Sequence, residues 1–369
     1  MMRHFLFFSL VFLSFIIRAQ DLDSLSQRQD SLSIQIIDSV AMSTDTLSII
    51  GVGDIMMGTN YPEDKLPPND GVHLLKNVEE VLKDADVTFG NLEGTLLDTG
   101  GIPKKCNDPK VCYAFRTPVR YVKNLVNAGF DMVSLANNHA GDMGDPGRKS
   151  SIETVEKANI LHAGQITHPT VIFEKDSIKY GLAAFSPNSN CVDINDLAGA
   201  IEIVKKLDSI CDIVIVSFHG GAEGAKFESV PRTNEIYYGE NRGDVYKFAH
   251  TLIDSAGADI IFGHGPHVTR AIEVYNERFI AYSLGNFCTY RGISVNGVNG
   301  LAPIIKVFTD KNGKFFYGKI IPTYQTYETG VRIDPQNQVI KKIQELTKKD
   351  FPESPVRIDE NGIITYLAQ

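Results

Sequence analysis

Short apolar runs at 48–52, 87–89, 132–135, 160–162, 213–218 and 260–262 alternate along the chain with amphipathic stretches at 73–84, 118–128, 149–158, 196–208 and 244–256. Runs of this length bounded by Gly, Asn and Asp read as buried strands, and the longer stretches between them as helices. Strand and helix taking turns in this way predict an α/β layered domain. Segments 170–185 and 270–283, the latter turning at Asn276-Glu277, read as hairpins, so the sheet is not expected to be purely parallel. A further hairpin is predicted over 304–309 and 315–321 around Lys311-Asn312-Gly313, as the closing edge of the sheet or a small appended β unit.

Ahead of the first predicted strand the pattern differs. Met1-Met2-Arg3-His4 carries positive charge, 5–17 is almost wholly apolar, and Ala19 offers a small residue before Gln20, which together predict a secretory signal peptide at 1–19. The rival is an uncleaved anchor, but thirteen helical residues span only about 20 Å against a hydrocarbon core of about 30 Å. No cysteine follows closely, which argues against lipid modification there. Residues 20–46 are rich in Ser, Asp and Gln without sustained periodicity and read as a flexible spacer. The expected organisation is therefore signal at 1–19, linker at 20–46, one domain at 47–325 and a C-terminal extension at 326–369. Export places the mature protein in the periplasm or at the cell surface, with membrane contact only through the leader if it stays uncleaved.

The chain has 369 residues, 43% hydrophobic and 22% charged, with a formal net charge of −9. That balance suits a folded soluble protein and not a disordered one. It also disfavours nucleic acid as a partner, because backbone phosphates are bound by clustered Lys and Arg. Five cysteines leave at least one unpaired within a single chain. Cys106 and Cys112 bracket the turn Asn107-Asp108-Pro109-Lys110 and form the expected disulfide, two reduced loop thiols being the alternative. Cys191, Cys211 and Cys288 read as small buried residues.

Candidate chemistry collects just after the predicted strands, where loops of an open α/β sheet converge. Of nine histidines, four lie in such loops beside Asn, Gly or Pro: His139, His219, His264 and His267. A lone His is usually a packed or surface residue, yet four of them accompanied by Asp54 and Glu93 point to a metal site with mixed nitrogen and oxygen ligands. Each motif also has a plainer reading. Gly53-Asp54 is a carboxylate among glycines or a capped tight turn. Asn91-Leu92-Glu93-Gly94 offers an amide and a carboxylate, or a loop charge. Asn138-His139 joins an amide ligand to a proton donor, with Asp142 close by, or forms an Asx-turn. Glu223, four residues after His219, is a ligand, a partner orienting the ring or a solvated charge. Gly263-His264-Gly265-Pro266-His267 sets two imidazoles in one constrained turn. Arg116 and Asn286 belong to segments expected to line the crevice, as is Asn91, with plain loop or helix cap as the alternatives.

The ordered set Gly53-Asp54, Asn91-Leu92-Glu93-Gly94, Asn138-His139-Ala140-Gly141-Asp142, His219-Gly220-Gly221-Ala222-Glu223, Gly263-His264-Gly265-Pro266-His267 and Ser283-Leu284-Gly285-Asn286-Phe287 resembles the CapA family of bacterial capsule-synthesis proteins over 48–325. That family is similar to calcineurin-like metallophosphoesterases, and the resemblance implies a four-layer α/β/β/α sandwich with a C-terminal β-hairpin edge. It further implies a divalent cation, with Mn, Zn or Fe fitting the ligand set, held by Asp54, Glu93, Asn138, His219, His264 and His267. Catalytic roles would fall to His139, Asp142 and Glu223, and substrate contacts to Asn91, Arg116 and Asn286.

Three departures from the phosphoesterase pattern stand out. Asp54-Ile55-Met56 replaces Asp-x-His, Asn91 stands where a bridging Asp is expected with Glu93 as its substitute, and the final His pair is one residue further apart. Two-metal phosphoester hydrolysis therefore does not follow automatically. The resemblance implies an anionic surface polymer of the poly-gamma-glutamate type, or its precursor, as the bound partner. Two roles follow: a metal-dependent hydrolase or transferase in capsule synthesis, or a non-catalytic binding component of an envelope export complex.

Overall fold

Ile49 and Ile50 are adjacent in sequence and fully buried, yet they belong to different core clusters. The same holds for Val214 and Ile215, and for Ile261 and Phe262. Successive strand residues face opposite sides, so both faces of these strands are covered. This is why they read as unbroken apolar runs rather than as alternating ones.

The computed structural model describes residues 46–105 and 112–367. The expected leader at 1–19, nearly all of the spacer at 20–46, and Cys106 of the expected disulfide lie outside the described residues. Cys191, Cys211 and Cys288 are free thiols. Among the described residues no helix is long and apolar enough to cross a membrane.

Two mixed sheets form the centre. In the ten-stranded sheet Leu47–Met56 runs parallel to Val87–Leu92, which is followed by Met132–Ser134 and Leu161–Ala163, all parallel. In the six-stranded sheet Ile213–His219 lies between Ile178–Phe185 and Ile260–His264, again all parallel, with antiparallel strands at both edges. The sheets meet through Ile49, Phe89 and Met132 on one side and Ile215, Ile260 and Phe262 on the other. Phe89 stacks on Phe262 with ring centroids 5.7 Å apart. Each such side chain contributes about 1.5–3 kcal/mol by leaving water.

Helices cover the outer faces. Leu82, Leu125 and Val155 pack on Ile50, Val52 and Val133 of the first sheet. Val204, Leu207, Phe248 and Leu252 pack on Val214, Val216 and Ile261 of the second. Helix, sheet, sheet and helix make the four-layer α/β/β/α sandwich. Leu197–Asp208 and Val245–Ala256 start at Asp196 and Asp244, whose carboxylates accept from Gly199 N and Lys247 N. The helix expected at 73–84 shrinks to Glu79–Lys83. The Leu74 carbonyl that would start it accepts instead from Val331 N at 2.8 Å.

The C-terminal β structure closes the larger sheet. Leu301–Thr309 pairs antiparallel with Leu47–Gly51, Phe315–Thr326 pairs with it in turn, and the hairpin Val356–Ile358/Ile363–Tyr366 forms the outermost edge. The described part of 326–369 belongs to this one compact unit. Its helix Gln338–Asp350 places Val339, Ile340 and Ile343 in the core between the sheets.

Candidate metal centre

Register delivers the polar side chains to one level. Asp54 is paired with Asn91 on one side and with Asn286 on the other, and Asn91 with Ser134 beyond it. In the second sheet His264 lies opposite His219 at the ends of two parallel strands. Irregularities in the ladder on both sides of Asp54 re-aim its side chain, as bulges do near functional sites. Close backbone approach demands glycine here. A Cβ on Gly53 would lie 2.0 Å from Gly285 O, and one on Gly265, at φ +113°, 2.7 Å from Gly220 O.

Around Glu93 the geometry fits a cation. Its Oε1 is 3.6 Å from His219 Nε2 and 3.5 Å from His267 Nε2, and the ligand atoms of the three residues all lie within 4.8 Å of one another. Two ligands each about 2.1 Å from a tetrahedral ion are about 3.4 Å apart. Both Glu93 oxygens, both His219 nitrogens, His264 Nε2 and Asn138 Oδ1 are buried without a hydrogen-bond partner among the described residues. So many orphaned donors and acceptors are destabilising unless something binds them. The residues present therefore fit a divalent cation.

Asp54 and Asn286 hold the frame of this group. Asp54 Oδ1 accepts from Asn91 Nδ2 at 2.8 Å and lies 3.3 Å from His264 Nδ1, and its Oδ2 lies 3.0 Å from His267 Nδ1. His267 sits at φ +59°. Asn286 fixes it there, its Oδ1 3.0 Å from Nδ1 and its Nδ2 donating to the His267 carbonyl at 3.1 Å. Two oxygens at Nδ1 require a proton on that nitrogen, which leaves Nε2 turned to Glu93.

The charges are strongly perturbed. Burial raises the Asp54 carboxyl, but hydrogen bonds from His264 and His267 outweigh it and hold it far below the usual range. Burial pushes Glu93 up to about 7, the charge of His267 opposing it and that of Asp54 adding to it. His219 is pushed down to about 3, first by burial. For His267 burial works downward, yet Glu93 and Asp54 carry it up to about 10.

His139 borders the group, its Nε2 3.9 Å from Glu93 Oε1. Its Nδ1 lies 2.7 Å from Asp142 Oδ2, so Nδ1 carries a proton donated there and Nε2 is turned toward the cluster. Asp142 does not itself face Glu93. It accepts from Phe115 N at 2.6 Å and pairs with Lys104 at 2.6 Å, while the Phe115 ring stacks on His139 at 4.3 Å. Asp142 is therefore a positioning residue. Glu223 is held by Arg242 at 2.7 Å. The Arg116 guanidinium is engaged elsewhere, donating to Asn60 Oδ1 at 2.7 Å and Gly100 O at 2.9 Å.

Sequence reasoning missed Asn137, Lys104, Phe115 and Arg242. Asn137 donates to Asn91 Oδ1 and to Leu92 O, locking the loop of His139 to the strand before Glu93. Its place in the Asn-Asn-His triplet was a usable signal. The other three carry no motif and become visible only in space.

Comparison with known proteins sets this geometry in context. The family described as "Bacterial capsule synthesis protein PGA_cap" matches residues 48–291. The chain is 29% identical over 263 residues to the capsule biosynthesis protein CapA of Bacillus anthracis, covering 65% of this chain and 59% of that one. It is 32% identical over 259 residues to the PGA biosynthesis protein CapA of Bacillus subtilis, covering 65% and 63%. The matched part thus spans less than two thirds of either relative. Among solved structures the chain is similar to the calcineurin-like phosphoesterase YfkN from Bacillus subtilis, at 14% identity and a TM-score of 0.42, covering 82% of this chain and 98% of that one.

Proposed function

Because the chain belongs to the family of bacterial capsule synthesis proteins, we propose that it is an exported component of poly-gamma-glutamate-type capsule synthesis or export with a metal-dependent hydrolase or transferase site. The carrying observation is the buried, unpartnered Glu93 Oε1, 3.6 Å from the likewise unpartnered Nε2 of His219 and 3.5 Å from Nε2 of His267. Glu93, His219 and His267 would hold the ion, with Asp54, His264 and Asn138 completing its surroundings. A divalent cation there supplies Lewis acidity toward a phosphoryl or carbonyl oxygen.

The chain's own residues then have defined tasks. Asn286 and Asp54 fix the ring of His267, and Asn91 holds Asp54 in turn. Asp142, Lys104 and Phe115 set the orientation of His139, whose Nε2 is turned toward Glu93 and, in the doubly protonated ring, would carry a proton to a leaving group. Relatives named for capsule and PGA biosynthesis support a carboxylate-rich polymer as substrate, which makes an amide the candidate scissile bond.

The test separates metal binding from turnover. His139→Ala keeps its metal by elemental analysis and loses about 100- to 10,000-fold in turnover of a gamma-linked glutamate oligomer or a generic phosphodiester. Metal-replete wild-type protein inert to both substrates defeats the enzymatic reading and leaves the polymer-binding component of an export complex.

A further inference from the structure

Two buried arginines stand behind the turn that follows His219, and their hydrogen bonding differs. Arg270 is fully buried and spent: Nη1 and Nη2 both reach Glu235 at 2.8 Å, Nε donates to Phe227 O at 2.8 Å, and Nη2 also lies 3.3 Å from Ala222 O. Its task is to brace the loop. Arg242, with a side chain only 6% exposed, gives Nη2 to Glu223 at 2.7 Å, and its Nε lies 3.1 Å from the carboxylate of the exposed Glu240 without a hydrogen bond to it. Its Nη1, like Nε, is buried and has no hydrogen-bond partner among the described residues.

An unsatisfied buried guanidinium N–H is destabilising, because water is lost and nothing replaces it. Where Arg270 shows how this loop satisfies an arginine for structure, Arg242 keeps a charged donor in reserve. The backbone fixes its place beside the metal cluster, since Gly221 N donates to the Arg242 carbonyl at 2.9 Å and Arg242 N to Glu235 O at 2.8 Å. Its charge is felt at His219. The Tyr237 ring lies 5.7 Å from the guanidinium, and the neighbouring Tyr238 is 75% exposed.

We infer that Arg242 Nη1, with Glu223 and Tyr237 around it, is the subsite for one side-chain carboxylate of an anionic polymer whose reacting unit lies over the Glu93 cluster. This rests on the polymer-handling function proposed above and adds the residue that recognises the polymer's charge. Glu223 and Glu240 already offset much of the Arg242 charge. The subsite therefore suits a singly charged carboxylate better than a phosphate dianion. The tyrosine rings offer apolar faces to the methylene groups between carboxylates.

The test measures binding to the full chain by calorimetry, with and without added divalent metal. The probes are a gamma-linked glutamate oligomer, its side-chain-amidated counterpart and inorganic phosphate. Wild-type protein binds the acidic oligomer at least about tenfold more tightly than the amidated one, and phosphate competes poorly. Arg242→Met removes that preference while leaving metal content unchanged, and Arg242→Lys, which keeps the charge but not the fork, restores only part of it. Equal binding of both oligomers by wild-type protein overturns the inference, even if Arg242→Met fails to fold. Phosphate competing as well as the acidic oligomer overturns the carboxylate assignment. Protein that takes up no added divalent metal yet still prefers the acidic oligomer through Arg242 defeats the metal site and leaves this inference standing. Normal metal content with no dependence on Arg242 defeats this inference alone.

Discussion

Glu93→Gln protein binds divalent metal at least about 100-fold more weakly than wild type while its metal-free form stays folded, with stability within about 1 kcal/mol. The two halves of this expectation have one cause. Both Glu93 oxygens are buried without a hydrogen-bond partner among the described residues, so an amide loses no hydrogen bond and gives up only the charge that faces His267. Burial pushes its carboxyl from 4.5 up to about 7. A carboxyl whose folded value is raised weakens the metal-free fold as pH rises between those two values, and the amide removes that penalty. That relief offsets the lost attraction to His267, whereas a bound cation loses a charged ligand outright. Isothermal titration with Mn or Zn, and thermal unfolding in chelator, measure the two halves. Unchanged affinity, or a metal-free variant that no longer folds, would contradict the assignment of Glu93 as a ligand.

Arg270→Met destabilises the protein by about 3–5 kcal/mol, the largest stability effect expected outside the core between the sheets. The side chain is fully buried and its bidentate pair with Glu235 has both contacts at 2.8 Å. Removing it strands the Glu235 carboxylate away from water and takes the donor from Phe227 O. Glu235 also accepts from Ala222 N at 3.0 Å, so the loosening reaches the turn after His219 and weakens metal binding secondarily. Urea unfolding measures the loss. A change below about 1 kcal/mol would show the pair to be dispensable.

The candidate site was legible where its residues end strands. Asp54, Glu93, His219 and His264 each follow or close an apolar run, and register sets Asp54 beside Asn91 in one sheet and His264 beside His219 in the other. Period and punctuation thus carried the α/β layering and the strand-end positions of most of the cluster, while the two-sheet sandwich came from the family resemblance. Residues that act through side-chain pairing across long separations were not legible. Lys104 meets Asp142 from a loop with no periodic pattern, and Arg242 meets Glu223 across an irregular segment. Arg116, a crevice candidate by sequence, hydrogen-bonds to Asn60 and Gly100, partners that no motif announces. The helix at 73–84 was overread because its amphipathic pattern could not reveal that Leu74 O pairs with Val331 N.

The central claim is that this cluster holds a divalent cation, and elemental analysis of the wild-type protein after reconstitution and desalting tests it most directly. The account predicts at least one equivalent of divalent metal per chain at about pH 9, held more weakly as pH falls and most steeply below about 7, because the ion displaces the His267 proton, held up to about 10, and below about 7 the Glu93 proton as well. Protein that stays metal-free at the higher pH, with its unfolding temperature unmoved by added metal, would contradict it.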